Sequence, residues 1–405
     1  MQTAANDPSP RSIPRPVWLL GWTSLFTDAA TEIIYPLLPL YLSRVLGASA
    51  TSLGVIEGVA EAINSVLKVA SGWLSDRRDR RRPIVIAGYA ISSIARPFIA
   101  GASRWTDVLL IRALDRTGKG IRSAPRDAML ATFATPTTRG RIFGFHQAMD
   151  HIGAILGPLA ATVFLFFLPG QLRLLFALTA IPGAIAVATL FLIKEEPLAP
   201  QESTAAVPKS TGALPRRFYS LLAVILVFSL GNSADAFLLL RLGDALGSAT
   251  YVPLLWAALH VVKASLSTWG GGLSDRFGRR RVIAVGWVIY AAVYLGFATA
   301  SSGIVFVAWF LVYGVYFALT EGAEKALVAD LTPAGQHGLA FGFYNMALGV
   351  GALIASVAFG MLYDHAGAAV AFSAGAALAT LAAVLLMFLP ADSRSGESSN
   401  GTPGC

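Results

Sequence analysis

Residues 109–127 read Leu-Leu-Ile-Arg-Ala-Leu-Asp-Arg-Thr-Gly-Lys-Gly-Ile-Arg-Ser-Ala-Pro-Arg-Asp, five cations and two carboxylates in a chain of otherwise apolar stretches. A charged side chain at mid-bilayer costs roughly 2.5–3.5 kcal/mol on insertion scales. It is kept where it faces a protein interior or a watery cavity. Arg112, Arg116, Lys119 and Arg126 are spaced 4, 3 and 7 apart and share one helix face. Asp115 and Arg122 flank that face. Gly118, Gly120 and Ala124 let another backbone or a ligand come near. Two roles stay open for this stripe: the lining of a solute path, or a set of internal ion pairs that lock helices together. Both can hold at once.

Other ionisable residues fall on helical spacings too. Asp28 and Glu32 are one turn apart in the first apolar stretch, followed by Tyr35-Pro36 and Pro39, prolines that loosen a helix and free carbonyls. Low-dielectric burial disfavours the charged form of a carboxylate and lets it carry a proton near neutral pH. Asp28, Glu32 and Glu61 are therefore candidate proton carriers, the alternative for each being a static partner of the cations. Glu57, Glu61, Asn64 and Lys68 form a second stripe. Asp150-His151 is a further candidate, since histidine titrates in the useful range. The second half of the chain offers Asn232, Asp235, His260, Lys263, Tyr313, Glu321, Glu324 and Lys325. Trp256, Trp269 and Trp287 read as packing residues or interfacial anchors.

The elements that position these residues follow from composition. The chain has 405 residues, 55% hydrophobic and 13% charged. Soluble domains carry about 25% charged residues, so this is an all-α membrane protein. Twelve spans of about 20 residues or more are expected at 17–42, 51–75, 83–103, 105–133, 140–168, 172–193, 217–241, 251–273, 282–301, 303–330, 339–362 and 367–389. Segment 194–216, polar and proline-containing, reads as a linker between bundle 17–193 and bundle 217–390. Residues 1–16 and 391–405 read as cytoplasmic tails. The first sixteen residues lack the pattern of a signal peptide, so the first span is expected to be retained. With a cytoplasmic amino terminus, eighteen loop cations fall inside against four outside (Arg44, Arg104, Arg173, Arg241), a strong positive-inside bias. The net charge of +8 sits in these loops and does not point to nucleic acid. The single cysteine, Cys405, excludes internal disulfides and thiolate metal sites. No phosphate-binding loop and no metal-spaced cluster is present, so the reading is of no enzyme, no cofactor and no metal.

The two halves repeat. Gly72-Trp-Leu-Ser-Asp76-Arg77-Arg-Asp-Arg80-Arg81-Arg82 recurs as Gly271-Gly-Leu-Ser-Asp275-Arg276-Phe-Gly-Arg279-Arg280-Arg281, an offset of 199. Phe143-Gly-Phe145 recurs as Phe341-Gly-Phe343, an offset of 198. On these motifs the chain resembles a major facilitator superfamily transporter over residues 17–390. That resemblance implies two pseudo-symmetric six-helix bundles with a site between them. The first loop copy departs from the family motif, with Asp79 where glycine is usual. The fifth span is similar to the family's antiporter signature, with Gly144, Gly153, Gly157-Pro158, and Ala161 where glycine is usual; the second half has Ala355-Ser356 in place of the Gly-Pro pair. Arg116-Thr-Gly-Lys119-Gly120 has the spacing of an Arg-x-x-Gln-Gly motif, Lys119 replacing the glutamine, and Arg112 makes a competing claim.

A carboxylate beside an arginine or a helix amino terminus forms a charge-assisted bond. The resemblance implies that Asp76 and Asp275, with Arg77, Arg80, Arg276 and Arg279, gate the cytoplasmic face in this way. It also implies that Asp235 and Glu321 face the cationic stripe across a central cavity. Arg126, Asp127, Glu324 and Lys325 correspond by the repeat offset and are expected to form a closing network. The expected function is secondary active transport by alternating access, proton-coupled export of a small anionic or zwitterionic organic solute. The expected setting is a monomer in a bacterial inner membrane with both termini cytoplasmic. Three alternatives stand beside it: uptake of an anionic metabolite or iron chelate, efflux of lipophilic cations with Asp28 and Glu32 as receptors, and a solute sensor.

Overall fold

The computed structural model describes residues 13–76, 81–133, 138–193, 214–333 and 336–389. Arg77, Arg80, most of segment 194–216 and the tail from residue 390 lie outside the described residues, as do the first twelve residues and the side chain of Asp76. Among the described residues there is no strand. An apolar chain in lipid must satisfy its backbone groups internally, which a helix does within one segment.

The helical segments line up as twelve rods. The first bundle holds α1 (Arg15–Ile34, carried on by short turns to Val45), α2 (Ala50–Asp76), α3 (Arg82–Gly101), α4 (Trp105–Thr132), α5 (Arg139–Phe167) and α6 (Leu172–Phe191). The second holds α7 (Arg216–Leu246), α8 (Val252–Phe277), α9 (Arg279–Thr299), α10 (Gly303–Asp330), α11 (His337–Ala366) and α12 (Ala368–Phe388). Eight of these, all but α1, α2, α4 and α8, are long and apolar enough to cross a membrane. The remaining four carry much of the ionisable load inside the bundles, and that load dilutes their hydropathy.

Packing follows the repeat. α2 packs on α4 as α8 packs on α10, α3 on α4 as α9 on α10, and α1 on α5 as α7 on α11. Between bundles α2 meets α11, and the symmetry-related pair α5 and α8 also meet. The α1–α5 contact needs glycine: a side chain at Gly153 or Gly157 would strike the backbone of Leu25 or Ala29. Pro158 is buried inside α5, while a side chain at Gly144 would meet open space.

Two rods are irregular. α1 tightens to a 3-10 turn at Tyr35–Leu37 and widens to a π turn at Tyr41–Val45, around Pro36 and Pro39. α7 is expected as one continuous span over 217–241, yet it opens after Gly231, resumes at Ala236 and runs on to Leu246. Asn232, Ser233, Ala234 and Asp235 form the break. The rods also define two ends. Arg15 and Phe388 lie at the near end, and the α1–α2 turn lies at the far end.

Candidate functional site

The fourth-span charges divide into two sets. Arg112 donates to both carboxylate oxygens of Glu57 (2.7 and 2.9 Å) and lies 3.7 Å from Asp115. Asp115 also accepts from Arg96 at 2.9 Å, and Arg96 donates to the Thr27 carbonyl at 3.2 Å. Arg122 donates to Ser92 Oγ at 2.8 Å, and Ser92 donates to the Asp115 carbonyl. The Arg122 guanidinium lies over the Tyr89 ring at 4.3 Å. Arg112, Asp115 and Arg122 are only 2–3% exposed. These three, expected to line a solute path, are turned into the packing of α2, α3 and α4. The reason is that each finds buried partners there: Glu57 and Asp115 for Arg112, Arg96 for Asp115, and Ser92 and the Tyr89 ring for Arg122.

Arg116 is buried too, at 8% exposed, and Lys119 is the less buried of the two. Arg116 sits among the charges of Asp115, Glu57 and Glu61, beside Tyr35. Lys119 is half-buried, with Arg116, Asp28, Glu61 and Arg122 as electrostatic neighbours. Asp28 has Asp150, Lys119, Arg122 and Glu32 around it. Three of the four candidate proton carriers, Asp28, Glu32 and Glu61, thus have one lysine on α4 as a neighbour, and the fourth, Asp150 on α5, neighbours Asp28. Asp150 approaches His146, one turn earlier on α5, at 3.6 Å.

Glu32 reaches across to the second bundle. It accepts from Trp256 Nε1 on α8 at 2.7 Å. Tyr35 packs on the same indole at 5.2 Å between ring centroids, and the Arg112 guanidinium lies 5.7 Å from the Tyr35 ring. Trp256, expected as a packing residue, is thus also a polar link between bundles. Sequence offered no signal for this, because an indole nitrogen in an apolar stretch looks the same whether or not it is bonded.

The second-bundle wall is built from tyrosines around the α7 break. Tyr290 donates to the Gly231 carbonyl at 3.1 Å, and Tyr313 donates to Asp235 at 2.6 Å. Ser233 and Tyr294 share a bond of 2.9 Å, and the Ala234 amide donates to Ser356 at 3.3 Å. Tyr290 and Tyr294 stack at 4.2 Å. Asn232, Asp235 and Tyr313 are among the candidates expected from sequence; Tyr290, Tyr294, Ser233 and Ser356 are not. Gly-Asn-Ser inside an apolar run, with tyrosines four residues apart further on, was the available signal.

Near-end charges pair within their own bundle: Arg126 with Asp127 (2.8 Å), Lys325 with Glu321 (3.3 Å), and Arg279 with Asp330 (2.6 Å) and Asp275 (4.0 Å). Glu324, expected in a closing network, is instead buried, accepting from Trp287 and Tyr344 at 3.0 Å each. Asp275, Arg276, Glu321 and Lys325 are exposed. At the far end the bonds cross between bundles. Arg44 donates to the Gly243 carbonyl (2.8 Å) and meets Asp244 (3.4 Å). Asp364 of α11 accepts from the amides of Ala50 and Thr51 (3.0 and 2.8 Å) and from the Thr51 hydroxyl (2.6 Å), capping α2. Below that cap, a side chain at Gly54 would strike the Ser356 backbone. α2 and α11 therefore touch at the far end, and a cleft of about 710 Å³ opens between their near halves.

Comparison with known proteins agrees with this architecture. The Major Facilitator Superfamily profile matches residues 20–261 and 221–404. An uncharacterized MFS-type transporter of Methanocaldococcus jannaschii is 31% identical over 390 residues, covering 95% of this chain and 97% of its own. A probable 4-methylmuconolactone transporter of Cupriavidus pinatubonensis is 26% identical over 371 residues, covering 86% of this chain and 84% of its own. The crystal structure of the nucleoside transporter NupG superposes with a TM-score of 0.77 over 92% of this chain and 99% of its own, at 13% identity, a likeness of fold alone. With profile, relative and fold in agreement over nearly the whole chain, the protein belongs to the major facilitator superfamily of membrane transporters.

Proposed function

We propose that the chain is a secondary active transporter that exports a small anionic or zwitterionic organic solute in exchange for protons. The reading is carried by one observation: Lys119 is half-buried with the charges of Asp28, Glu61 and Arg116 as neighbours, in a chain whose two bundles are bonded at their far end. A partly desolvated cation attracts an anion and offsets its loss of hydration. The cationic group of a zwitterion competes with the proton for the carboxylates beside Lys119, so they protonate when the solute leaves and release the proton when it returns, which couples the two flows. Lys119 and Arg116 hold the anion, with Tyr35, Asn232 and Asp235 beside them, while Glu321, expected there, pairs with Lys325 at the near end. Arg112, Asp115 and Arg122 fix the wall behind it. Asp28, Glu32, Glu61 and Asp150 carry the proton.

Alternation follows from the ends. The far end is latched by Arg44 and Asp364, so the state described is open at the near end. Under the positive-inside bias the near end is cytoplasmic, and this is the loading state of an exporter in a bacterial inner membrane. Closure of that end would recruit Asp76, Asp275 and the neighbouring arginines, together with Arg126, Asp127 and Lys325. Segment 194–216 serves as the linker that lets bundles 17–193 and 217–390 rock as a monomer.

The test is flux in proteoliposomes, after a stability screen of the purified protein against organic anions, zwitterions and lipophilic cations. A ligand that binds the folded state raises its stability by mass action, by about 2.7 kcal/mol at a hundred times its Kd. Stabilisation by anions that Lys119→Ala abolishes, and flux that follows an imposed pH gradient, is the expected result. Stabilisation by lipophilic cations alone, lost in Asp28→Asn, would sink the anion reading.

A further inference from the structure

The α2–α11 cleft has no part in the mechanism above. Its walls are the near halves of both helices, with Val66 and Val69 on α2 facing Leu339, Gly342, Met346 and Val350 on α11. Its apex is the contact of Ser65 with Gly349, where a side chain on the glycine would strike the serine hydroxyl. From there it widens toward the near end. Val66 is 65% exposed and Met346 50%, on a surface continuous with the apolar exterior of the rods. Its volume would hold roughly twenty waters at about 30 Å³ each, yet Ser65 is the one polar side chain among its lining residues. A water needs two to four polar partners, so a cleft lined this way takes hydrocarbon.

The same helix carries both walls of the path. α2 turns Ala62, Ser65, Val66 and Val69 to the cleft, and the neighbouring stripe holds Glu61, Asn64 and Lys68. α4 sets the height of Lys119 against that stripe: a side chain at Gly120 would strike Leu67 and the Asn64 carbonyl, and Ser71 donates to the Gly120 carbonyl at 2.8 Å. The apolar cleft and Lys119 therefore lie at one level, on different faces of α2.

We infer that the solute is a single-chain amphiphilic anion, which enters sideways from the near leaflet. Its tail occupies the α2–α11 cleft and its head group reaches the chamber at Lys119 past Lys68. This inference rests on the anion reading above and adds the tail. Charge complementarity at one end and continuity with the bilayer at the other specify such a molecule, because a wholly polar solute would leave the cleft unfilled.

The test uses dodecyl phosphate and butyl phosphate as probes, titrated onto the protein in nanodiscs with empty nanodiscs subtracted. Met346→Cys is placed in a Cys405→Ser background, Cys405 being the single native cysteine. The protein is folded first and then alkylated with N-phenylmaleimide, so that the unalkylated sample controls for folding. Expected are dodecyl phosphate binding at least tenfold tighter than butyl phosphate, and loss of that advantage on alkylation, with butyl phosphate unchanged within twofold. Equal dodecyl phosphate affinity before and after alkylation would overturn the inference and leave the cleft as space for ordinary bilayer lipid. Lys119→Gln separates the two readings. If it weakens neither probe, the anion reading fails, whatever alkylation does to the tail.

Discussion

The two bundles share a plan and differ in what fills it. In the first, the helices are tied by ions: Arg96, Arg112, Asp115 and Glu57 form one buried chain of charge-assisted bonds. In the second, the corresponding space is tied by phenols and indoles: Tyr290 and Tyr313 donate to a broken helix, Tyr294 shares a bond with Ser233 of the same break, and Trp287 donates to a buried carboxylate. An ion network fixes geometry but leaves a buried charge when one member is lost. A tyrosine network carries no formal charge of its own and fails more gently. The contrast leaves the first bundle tied by charges and the second by neutral donors.

Four substitutions sharpen or break that contrast. Arg112→Met strands Glu57 in the interior, and removing one partner of a buried pair costs about 3–5 kcal/mol. The expected outcome is a large drop in thermal midpoint in detergent, partly recovered by adding Glu57→Gln. A midpoint equal to wild type would show that the ion network does not hold the bundle. Tyr313→Phe removes the donor to Asp235 and should cost about 1–3 kcal/mol, read from the same melt. A cost as large as that of Arg112→Met would erase the distinction between the bundles. Asp364→Ala removes the cap that one bundle gives the other, about 0.5–2 kcal/mol for such caps, and should shift the protein toward near-end closure. Slower maleimide labelling of Val69→Cys would report it; unchanged labelling would mean that the cap does not latch the far end. Tyr294→Phe, which loses one neutral bond to Ser233, should cost about 0.5–1.5 kcal/mol. A loss of flux there without loss of stability would bring the second bundle into the transport step.

Much of the fold was legible because lipid imposes length and hydropathy on each span. The tenth span, expected at 303–330, is α10 at those bounds. The repeat offset anticipated the paired packing of α2 with α4 and α8 with α10. The site was legible only as a list. Spacing put Arg112 and Lys119 on one face, but a helix face is broad. Which of the two turns inward depends on Glu57, 55 residues away in sequence, and no periodicity encodes that pairing. The α7 break was hidden for a related reason. Its unwound backbone groups are met by Tyr290 and Ser356, partners from α9 and α11 that a local reading of residues 231–235 does not contain.

The cap on α2 has one more consequence. Asp364 and the Arg44–Asp244 pair stand at a rim that water reaches, with the latter side chains 37% and 45% exposed. Electrostatic reach in solution falls from about 10 Å at 0.1 M salt to about 3 Å at 1 M. The latch on the far end is therefore weakened by ionic strength on that side of the bilayer, while the dry network around Arg112 is screened much less. The balance between the two access states should track the salinity of the far-side medium, so that the surroundings set the resting orientation before any solute binds.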